Sequence, residues 1–414
     1  MGPHVNVGCP KESFPGETRV AVSPAVVPTI EKLDLKVVVE SGAGLASGYT
    51  DEAYKAAGAT VGTRADAFGA DIVAQVRAVG AYETSASADL ASLRSGQVVI
   101  GLCNSLAEPE PMKALAERKV ITFAMELVPR ITRAQSMDVL SSQASIAGYK
   151  AVLLAANELP KLLPMMSTAA GTIQPAKVLV MGAGVAGLQA IATARRLGAI
   201  VSAYDIRAAV KEQIESLGAK FVELDLPTED AETSGGYAKE QSEEFLAKQR
   251  EALGKVIAEN DVIITTAQVP GKKAPVLVTE EMVAGMTEGS VIVDLAAEQG
   301  GNCAVTVEGE TVTTANGVRV IGPRNVPGTV QKDASQVYAK NMATFLNEIV
   351  QEGKLVLDPE NQVITDTLVT NDGDVANNRV REILGLAPLA PPAAPEPAPE
   401  TGAAPDTEKK EGDA

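Results

Sequence analysis

The most constraining stretch of this chain runs from Pro175 to Asp205, where a strand, a glycine turn, a helix and a second strand follow one another in close order. Lys177-Val-Leu-Val-Met181 is a short apolar run, which suits a strand buried on both faces. Gly182-Ala183-Gly184-Val185-Ala186-Gly187 follows at once. Leu188 to Leu197 then carries a helical apolar pattern, with Arg195 and Arg196 near its end where cations suit the helix dipole, and Gly198 stops it. Ile200-Val-Ser-Ala-Tyr204 delivers Asp205 to the end of a second strand, 18 residues after the last glycine. That is the spacing of a dinucleotide-binding fingerprint.

Each position has a physical job. Gly182 permits the tight turn, Gly184 lets the backbone approach a pyrophosphate, Gly187 lets helix and strand pack closely, and the helix N-terminus meets the phosphates. A carboxylate at Asp205 accepts hydrogen bonds from ribose hydroxyls and repels a 2'-phosphate, which favours NAD(H) over NADP(H). Arg207, two residues on, pulls the other way, because a nearby guanidinium is what NADP sites use.

Composition narrows the remaining classes. At 414 residues with 45% apolar side chains the chain has room for two or three domains with ordinary cores. Cys9, Cys103 and Cys303 are far apart and odd in number, and read as reduced thiols in a cytoplasmic protein without a metal site. A net charge of −17 leaves no basic stripe for nucleic acid and disfavours docking on anionic lipid. Residues 139 to 171 are the most apolar long stretch, but Lys150, Glu158, Lys161 and two prolines interrupt it, so no membrane insertion is expected. The single histidine, His4, restricts any mechanism that needs imidazole acid/base chemistry.

The pattern along the chain predicts an α/β fold of two Rossmann-like, doubly wound parallel-sheet domains flanking a nucleotide cleft. Strand-like runs at Val5 to Val7, Val37 to Val39, Ile72 to Val76, Val98 to Leu102 and Val120 to Phe123 alternate with helical patterns at Pro24 to Leu33, Asp51 to Ala57 and Glu110 to Arg118. This gives a first domain over residues 1–137, completed by about 330–386. The dinucleotide domain spans 138–329, entered by a helix from about Gln135 to Leu159, with strands also at Lys220 to Val222, Val262 to Thr266, Val291 to Asp294 and Val318 to Ile321. A polar insertion from Pro227 to Gln249 holds Ser234-Gly-Gly236-Tyr237-Ala-Lys-Glu240, and a loop that long is more often functional than idle. Asp333 to Glu352 reads as an amphipathic helix, while Val363-Ile-Thr and Thr367-Leu-Val369 read as edge strands. Residues 387–414, rich in Pro, Ala and Glu, read as a disordered tail.

One segment cannot be derived from periodicity. Met125-Glu-Leu-Val-Pro-Arg130-Ile131-Thr132-Arg133-Ala-Gln135-Ser136-Met137-Asp138-Val-Leu-Ser141-Ser-Gln143 closely resembles the NAD(H)-binding domain I of the proton-translocating transhydrogenases. So do Cys9-Pro-Lys-Glu12 with Gly16-Glu-Thr-Arg19, Met165 to Gly171, the glycine run with Leu188-Gln189, Gly235 to Glu240, and Val293-Asp294 through Gly300-Gly-Asn302-Cys303. The resemblance covers residues 5 to about 350. It implies that the segment from Arg130 to Ser141 surrounds the nicotinamide and its ribose, with Gln135, Asp138 and Arg130 as the groups that position the reacting ring. It also implies cofactor contacts from Ala183, Val185, Ile206, Gly236, Tyr237, Gln249 and Gln268, with the Tyr237 loop closing over nucleotide. Read without it, the segment is a helix start capped by Asp138, with Arg130 in a surface ion pair.

The implied activity is direct hydride transfer from NADH to NADP+, bound at the NADP(H) site of a partner beta subunit, coupled to proton movement through a separate membrane subunit. The implied assembly is a homodimer, cytoplasmic and held peripherally at the inner membrane by its partners. An alanine dehydrogenase, which shares the fold, is the alternative, but the neighbourhoods Gln75-Val-Arg77 and Gly101-Leu-Cys103-Asn104-Ser105 lack the lysine and histidine that class uses. A non-catalytic NAD-binding module is a third reading. Residues spent on the nicotinamide end argue against it.

Overall fold

The structure, a computed structural model, describes residues 5–78, 86–224 and 243–389. The first sheet contains β1 (Asn6–Cys9), β2 (Lys36–Glu40), β3 (Thr60–Gly62), β4 (Ile72–Arg77), β5 (Val98–Leu102) and β6 (Ile121–Ala124), all parallel. A short hairpin follows, of β7 (Met166–Thr168) and β8 (Gly171–Ile173). The second sheet is built from β9 (Lys177–Met181), β10 (Ile200–Tyr204), β11 (Lys220–Phe221), β12 (Val262–Thr265), β13 (Val291–Asp294), β14 (Thr311–Thr313) and β15 (Arg319–Ile321), in the order β11-β10-β9-β12-β13-β15-β14. Only β14 runs antiparallel there. A small hairpin pairs β16 (Val350–Gln351) with β17 (Lys354–Leu355). The chain then returns to the first sheet, where β18 (Leu368–Asn371) pairs antiparallel with β6 and β19 (Asp374–Val375) with β18.

Strand order reverses between β1 and β4 in one sheet and between β9 and β12 in the other. Each sheet therefore has a switch point, where a crevice opens beyond the C-terminal ends of the strands. Both sheets are covered on both faces, as parallel sheets require. The period-2 alternation shows it directly: Val178 and Val180 enter one core while Leu179 and Met181 enter the opposite one, and Ile72 and Ala74 are likewise separated from Val73. Each such fully buried aliphatic side chain stabilises the fold by about 1.5 to 3 kcal/mol.

The helices are α1 (Val27–Glu31), α2 (Asp51–Ala56), α3 (Arg64–Phe68), α4 (Ala86–Ser92), α5 (Glu110–Glu117), α6 (Val139–Glu158), α7 (Val185–Arg196), α8 (Lys211–Ser216), α9 (Glu243–Ala258), α10 (Glu280–Ala284), α11 (Gln331–Ile349), α12 (Gln362–Thr367) and α13 (Asn378–Ile383). Helix α11 lays Tyr338, Met342, Phe345 and Leu346 into the first core; the Tyr338 hydroxyl donates to the Gln75 carbonyl at 2.9 Å, and Phe345 meets Phe123 edge to face at 5.4 Å.

Three expectations are corrected. Val363-Ile-Thr is not an edge strand but part of α12, because the Asn361 side chain caps that helix and Val363 and Ile364 face the first core. Residues 387–389, expected at the start of the tail, are instead tied to α13: the Arg381 guanidinium donates to the Ala387 carbonyl at 2.6 Å, and the Leu389 N–H donates to Asn378 at 2.8 Å. Residues 390–414, and the Ser234 to Glu240 segment, lie outside the described residues. Finally, α6 is long and apolar enough to cross a membrane by length and composition, contrary to the expectation that no segment is. It is apolar on most sides because it packs against α7 on one side and α11 on another.

That packing is close. A Cβ at Gly148 of α6 would lie 2.0 Å from the Ala186 carbonyl oxygen on α7. Gly148→Val should separate the two helices and destabilise the protein by about 3 kcal/mol or more, at the upper end of overpacking costs, while Gly254→Val in α9, where a Cβ would meet nothing closer than 3.9 Å, should cost less. Thermal unfolding of the two variants side by side checks this.

Candidate functional site

The glycine turn sits at the switch point of the second sheet, between β9 and α7. A Cβ at Gly187 would fall 1.8 Å from the Gly182 carbonyl oxygen, and one at Gly182, where φ is +99°, would fall 2.6 Å from the Thr266 hydroxyl. Protein packing thus demands both outer glycines. The middle one is different: a Cβ at Gly184 would meet nothing within 4 Å. The space in front of Gly184 and the first turn of α7, whose leading N–H groups have no partner within the helix, fits the pyrophosphate of a dinucleotide.

Asp205 ends β10 with its carboxylate almost buried. It accepts the Ala183 N–H at 2.7 Å, the Arg207 N–H at 2.8 Å, and the Arg207 guanidinium through Nε at 3.0 Å and Nη2 at 2.9 Å. Four donors match the four lone-pair positions of a carboxylate. Arg207 is therefore held by Asp205, and a ribose diol binding here shares the carboxylate with that guanidinium. Ile206 lies half-buried between them.

The segment from Arg130 to Ser141 leads into α6. Arg130, Thr132, Gln135 and Ser136 are exposed, Met137 is buried, and Ile131 packs on the first core. Asp138 caps α6 by accepting the Ser141 N–H at 2.9 Å and also takes the Ser141 hydroxyl. Arg133 is committed elsewhere, to Glu348 at 3.0 Å and Asn361 at 2.7 Å. Ser141, Ser145 and Gly148 recur at helical spacing, so Ser141 lies on the face of α6 that crosses α7 beside the glycine turn, and Asp138 bonds to it from the cap. Gln268, just after β12, is half-buried and its amide donates to the Leu295 carbonyl. Gln249 falls in α9, and Gly236 and Tyr237 lie outside the described residues.

Several polar groups at the site carry no signal in a single sequence. Asn341 of α11 braces the Arg130 to Asp138 segment by donating to the Ser136 carbonyl at 2.7 Å. Between the two sheets lies a buried ion cluster. Glu17, fully enclosed, accepts from Arg19 at 2.7 and 2.8 Å, from Arg77 at 2.9 Å and from Asn325 at 3.3 Å. Arg19 also donates to Gln143 of α6 at 2.9 Å, and Arg77 stacks on Phe14 and faces Glu298 at 3.9 Å. Beside it Glu12 accepts the N–H groups of Val76 and Arg77 at 2.6 and 3.1 Å. In the sequence Glu12, Glu17 and Arg19 are marked only by their resemblance to the transhydrogenases, with nothing to say that they meet.

Against this geometry, the N-terminal alanine dehydrogenase/PNT domain model matches residues 8–147 and the C-terminal one residues 151–378. The chain belongs to the alanine dehydrogenase/PNT family. Within that family it is 49% identical, over 90% of its length and 98% of the relative's, to an NAD(P) transhydrogenase subunit alpha polypeptide of Rhodospirillum rubrum. The transhydrogenase structure from Sinorhizobium meliloti is 49% identical with a TM-score of 0.80, covering 89% of this chain and 99% of that one. An alanine dehydrogenase from Bacillus subtilis is 28% identical over 92% of this chain and 94% of its own.

The two acids of the cluster are shifted in opposite directions. Burial, then the neighbouring Glu17 charge, pushes Glu12 up to about 8. Burial would raise Glu17 too, but hydrogen bonds and charge from Arg19, then Arg77, outweigh it and bring it down to about 2. Glu17 therefore contributes stability above its ordinary value of 4.5, lost as pH falls through about 2. Glu12 contributes stability below 4.5, lost as pH rises through about 8. Between about pH 5 and about pH 9 Glu17 stays charged and Glu12 is the acid of this pair that changes, so Glu12→Gln should reduce the alkaline loss of stability, leaving the share of Glu126, which burial also shifts upward. Parallel pH profiles for variant and parent would refute this account of the cluster.

Proposed function

We propose that this chain is the NAD(H)-binding subunit of a transhydrogenase, passing hydride directly from NADH to NADP+ held by a partner beta subunit, with proton movement coupled through a separate membrane subunit. The observation that carries it is the open approach at Gly184 on the switch point of the second sheet, with Asp205 closing one end and the Arg130 to Ser141 segment leading in from α6. The nicotinamide supplies the hydride; the protein binds, orients and excludes water. The α7 N-terminus holds the pyrophosphate, Asp205 takes the adenosine ribose, and Gln135, Asp138, Ser141 and Arg130 fix the nicotinamide end. Transfer between two nicotinamides asks for no side chain that moves a proton, which agrees with a chain whose one histidine is His4. Amino-acid oxidation, the alternative within the family, must also remove a proton from nitrogen.

The same reading includes a homodimer, attached to a membrane from the cytoplasmic side through its partners. Supporting it is the hairpin of β7 and β8, where Met165, Met166 and Ile173 are exposed and residues 165–174 carry no charge in a chain of net −17. An uncharged apolar hairpin with open strand edges lets two acidic copies meet without like-charge repulsion.

NADH should bind more tightly than NADPH, and Asp205→Asn should narrow the gap, because it weakens the ribose contact by about 1.5 to 3 kcal/mol and loosens Arg207 for a 2'-phosphate. Equal binding of both nucleotides by the parent protein would refute the NAD(H) assignment. Mixed with the NADP(H)-binding subunit, the chain should reduce NADP+ at the expense of NADH; NADH formation from NAD+ and L-alanine would favour the dehydrogenase reading instead. For the dimer, Ile173→Asp should shift sedimentation from two copies to one, and a parent protein that sediments as a monomer would end that part of the proposal.

A further inference from the structure

Asp294 ends β13, two strands away from the glycine turn, and is fully buried. Its carboxylate accepts five hydrogen bonds: the Thr265 hydroxyl at 2.8 Å, the Ala296 N–H at 3.0 Å, the Asn302 N–H at 2.7 Å, the Cys303 N–H at 3.0 Å and the Thr306 hydroxyl at 2.7 Å. Gly300 and Gly301, with φ of +93° and +80°, wrap the chain around it, and a Cβ at Gly301 would press to 2.9 Å of the carboxylate. A buried anion satisfied by this many donors fixes the loop that supplies them.

The fixed loop presents Asn302, whose side chain is wholly used. Its amide oxygen accepts the Ala267 N–H at 2.9 Å, and its NH2 donates to the Ala267 carbonyl at 2.9 Å and the Pro275 carbonyl at 2.8 Å. Ala267 is thus held on both its backbone groups, as a strand neighbour would hold it. The adjacent Thr266 hydroxyl reaches the Gly182 carbonyl at 3.0 Å, the first glycine of the turn. Hydrogen bonds and one peptide link thus connect Asp294 through Asn302, Ala267 and its neighbour Thr266 to Gly182.

At a switch point a dinucleotide straddles the two halves of the sheet. Adenosine lies over β9 and β10, where Asp205 stands, so the other nucleotide lies over the ends of β12 and β13. We infer that Asp294 and Asn302 are positioning residues that set the β12 loop, Thr266 to Gln268, as the wall against which the nicotinamide half of the cofactor is aligned. This rests on the dinucleotide site proposed above. Neither residue need touch the cofactor.

The test compares NADH with ADP-ribose, which lacks the nicotinamide, on the full chain. In Asn302→Ala the ADP-ribose dissociation constant should stay within about twofold, while the nicotinamide fluorescence change on binding NADH is lost and hydride transfer to the NADP(H) subunit falls about tenfold or more. If Asn302→Ala does not fold, Thr306→Val, which removes one of the five donors to Asp294, carries the same comparison with a smaller loss. Parallel weakening of both ligands, or no change in either, overturns the inference while leaving the dinucleotide site standing. A parent protein that binds neither ligand overturns the site itself.

Discussion

Three stretches of backbone meet almost without side chains between them, and the rest of the molecule is arranged around that contact. The carbonyl of Gly182 closes against Gly187, and the carbonyl of Ala186 closes against Gly148, each at a distance that admits hydrogen but no methyl group. Strand β9, helix α7 and helix α6 are thereby stacked in fixed order. The first consequence is chemical, since the N-terminus of α7 stands over the switch point. The second is architectural. Helix α6 belongs to both halves: it packs on the nucleotide sheet through Ala151, Val152 and Ala155, while Val139 and Gln143 reach into the first half.

The first half answers with buried charge. Glu17, Arg19, Arg77 and Asn325 join the end of β4 to the segment before α11, and Arg77 faces Glu298 from the second sheet. A close approach of Gly271 to Leu106, whose Cβ would lie 2.6 Å from one built on the glycine, makes another contact between the strand ends of the two sheets. Such a network is a poor source of net stability, because removing ions from water offsets most of their attraction. Its effect is geometric. An apolar contact tolerates sliding, whereas guanidinium forks on an enclosed carboxylate hold one relative placement of the two sheets.

The sequence made legible what repeats or punctuates. Short apolar runs marked most central strands, and Gly182, Gly184, Gly187 and Asp205 marked the crevice because their spacing is set by backbone geometry. What escaped were features defined by contacts distant in sequence. Val363-Ile-Thr has the residues of a strand, yet the cap at Asn361 and a core face for Val363 and Ile364 make it helical. Helix α6 looked interrupted by its charges, but Lys150 and Glu158 sit partly exposed on a helix that packs against α7 and α11. Asp294 and Asn302 resemble ordinary loop polar residues until the fold shows five donors around one and three bonds from the other.

The relation to alanine dehydrogenases sharpens what distinguishes the two chemistries. Both use this scaffold, and a scaffold alone does not decide a reaction. A dehydrogenase must bring a small substrate and a proton acceptor against the nicotinamide. In this chain the charged groups of the ion cluster bond to one another: Arg19 and Arg77 donate to Glu17, and Glu12 accepts from the backbone of β4. The Arg130 to Ser136 segment, by contrast, leaves Gln135 exposed, on a turn braced from beneath by Asn341 and anchored at its end by Asp138. Under the proposed function, an exposed group on a rigid turn suits a site whose second reactant is another cofactor delivered on the surface of another protein. The energetic demand on such a site is alignment of two rings more than acid/base strength.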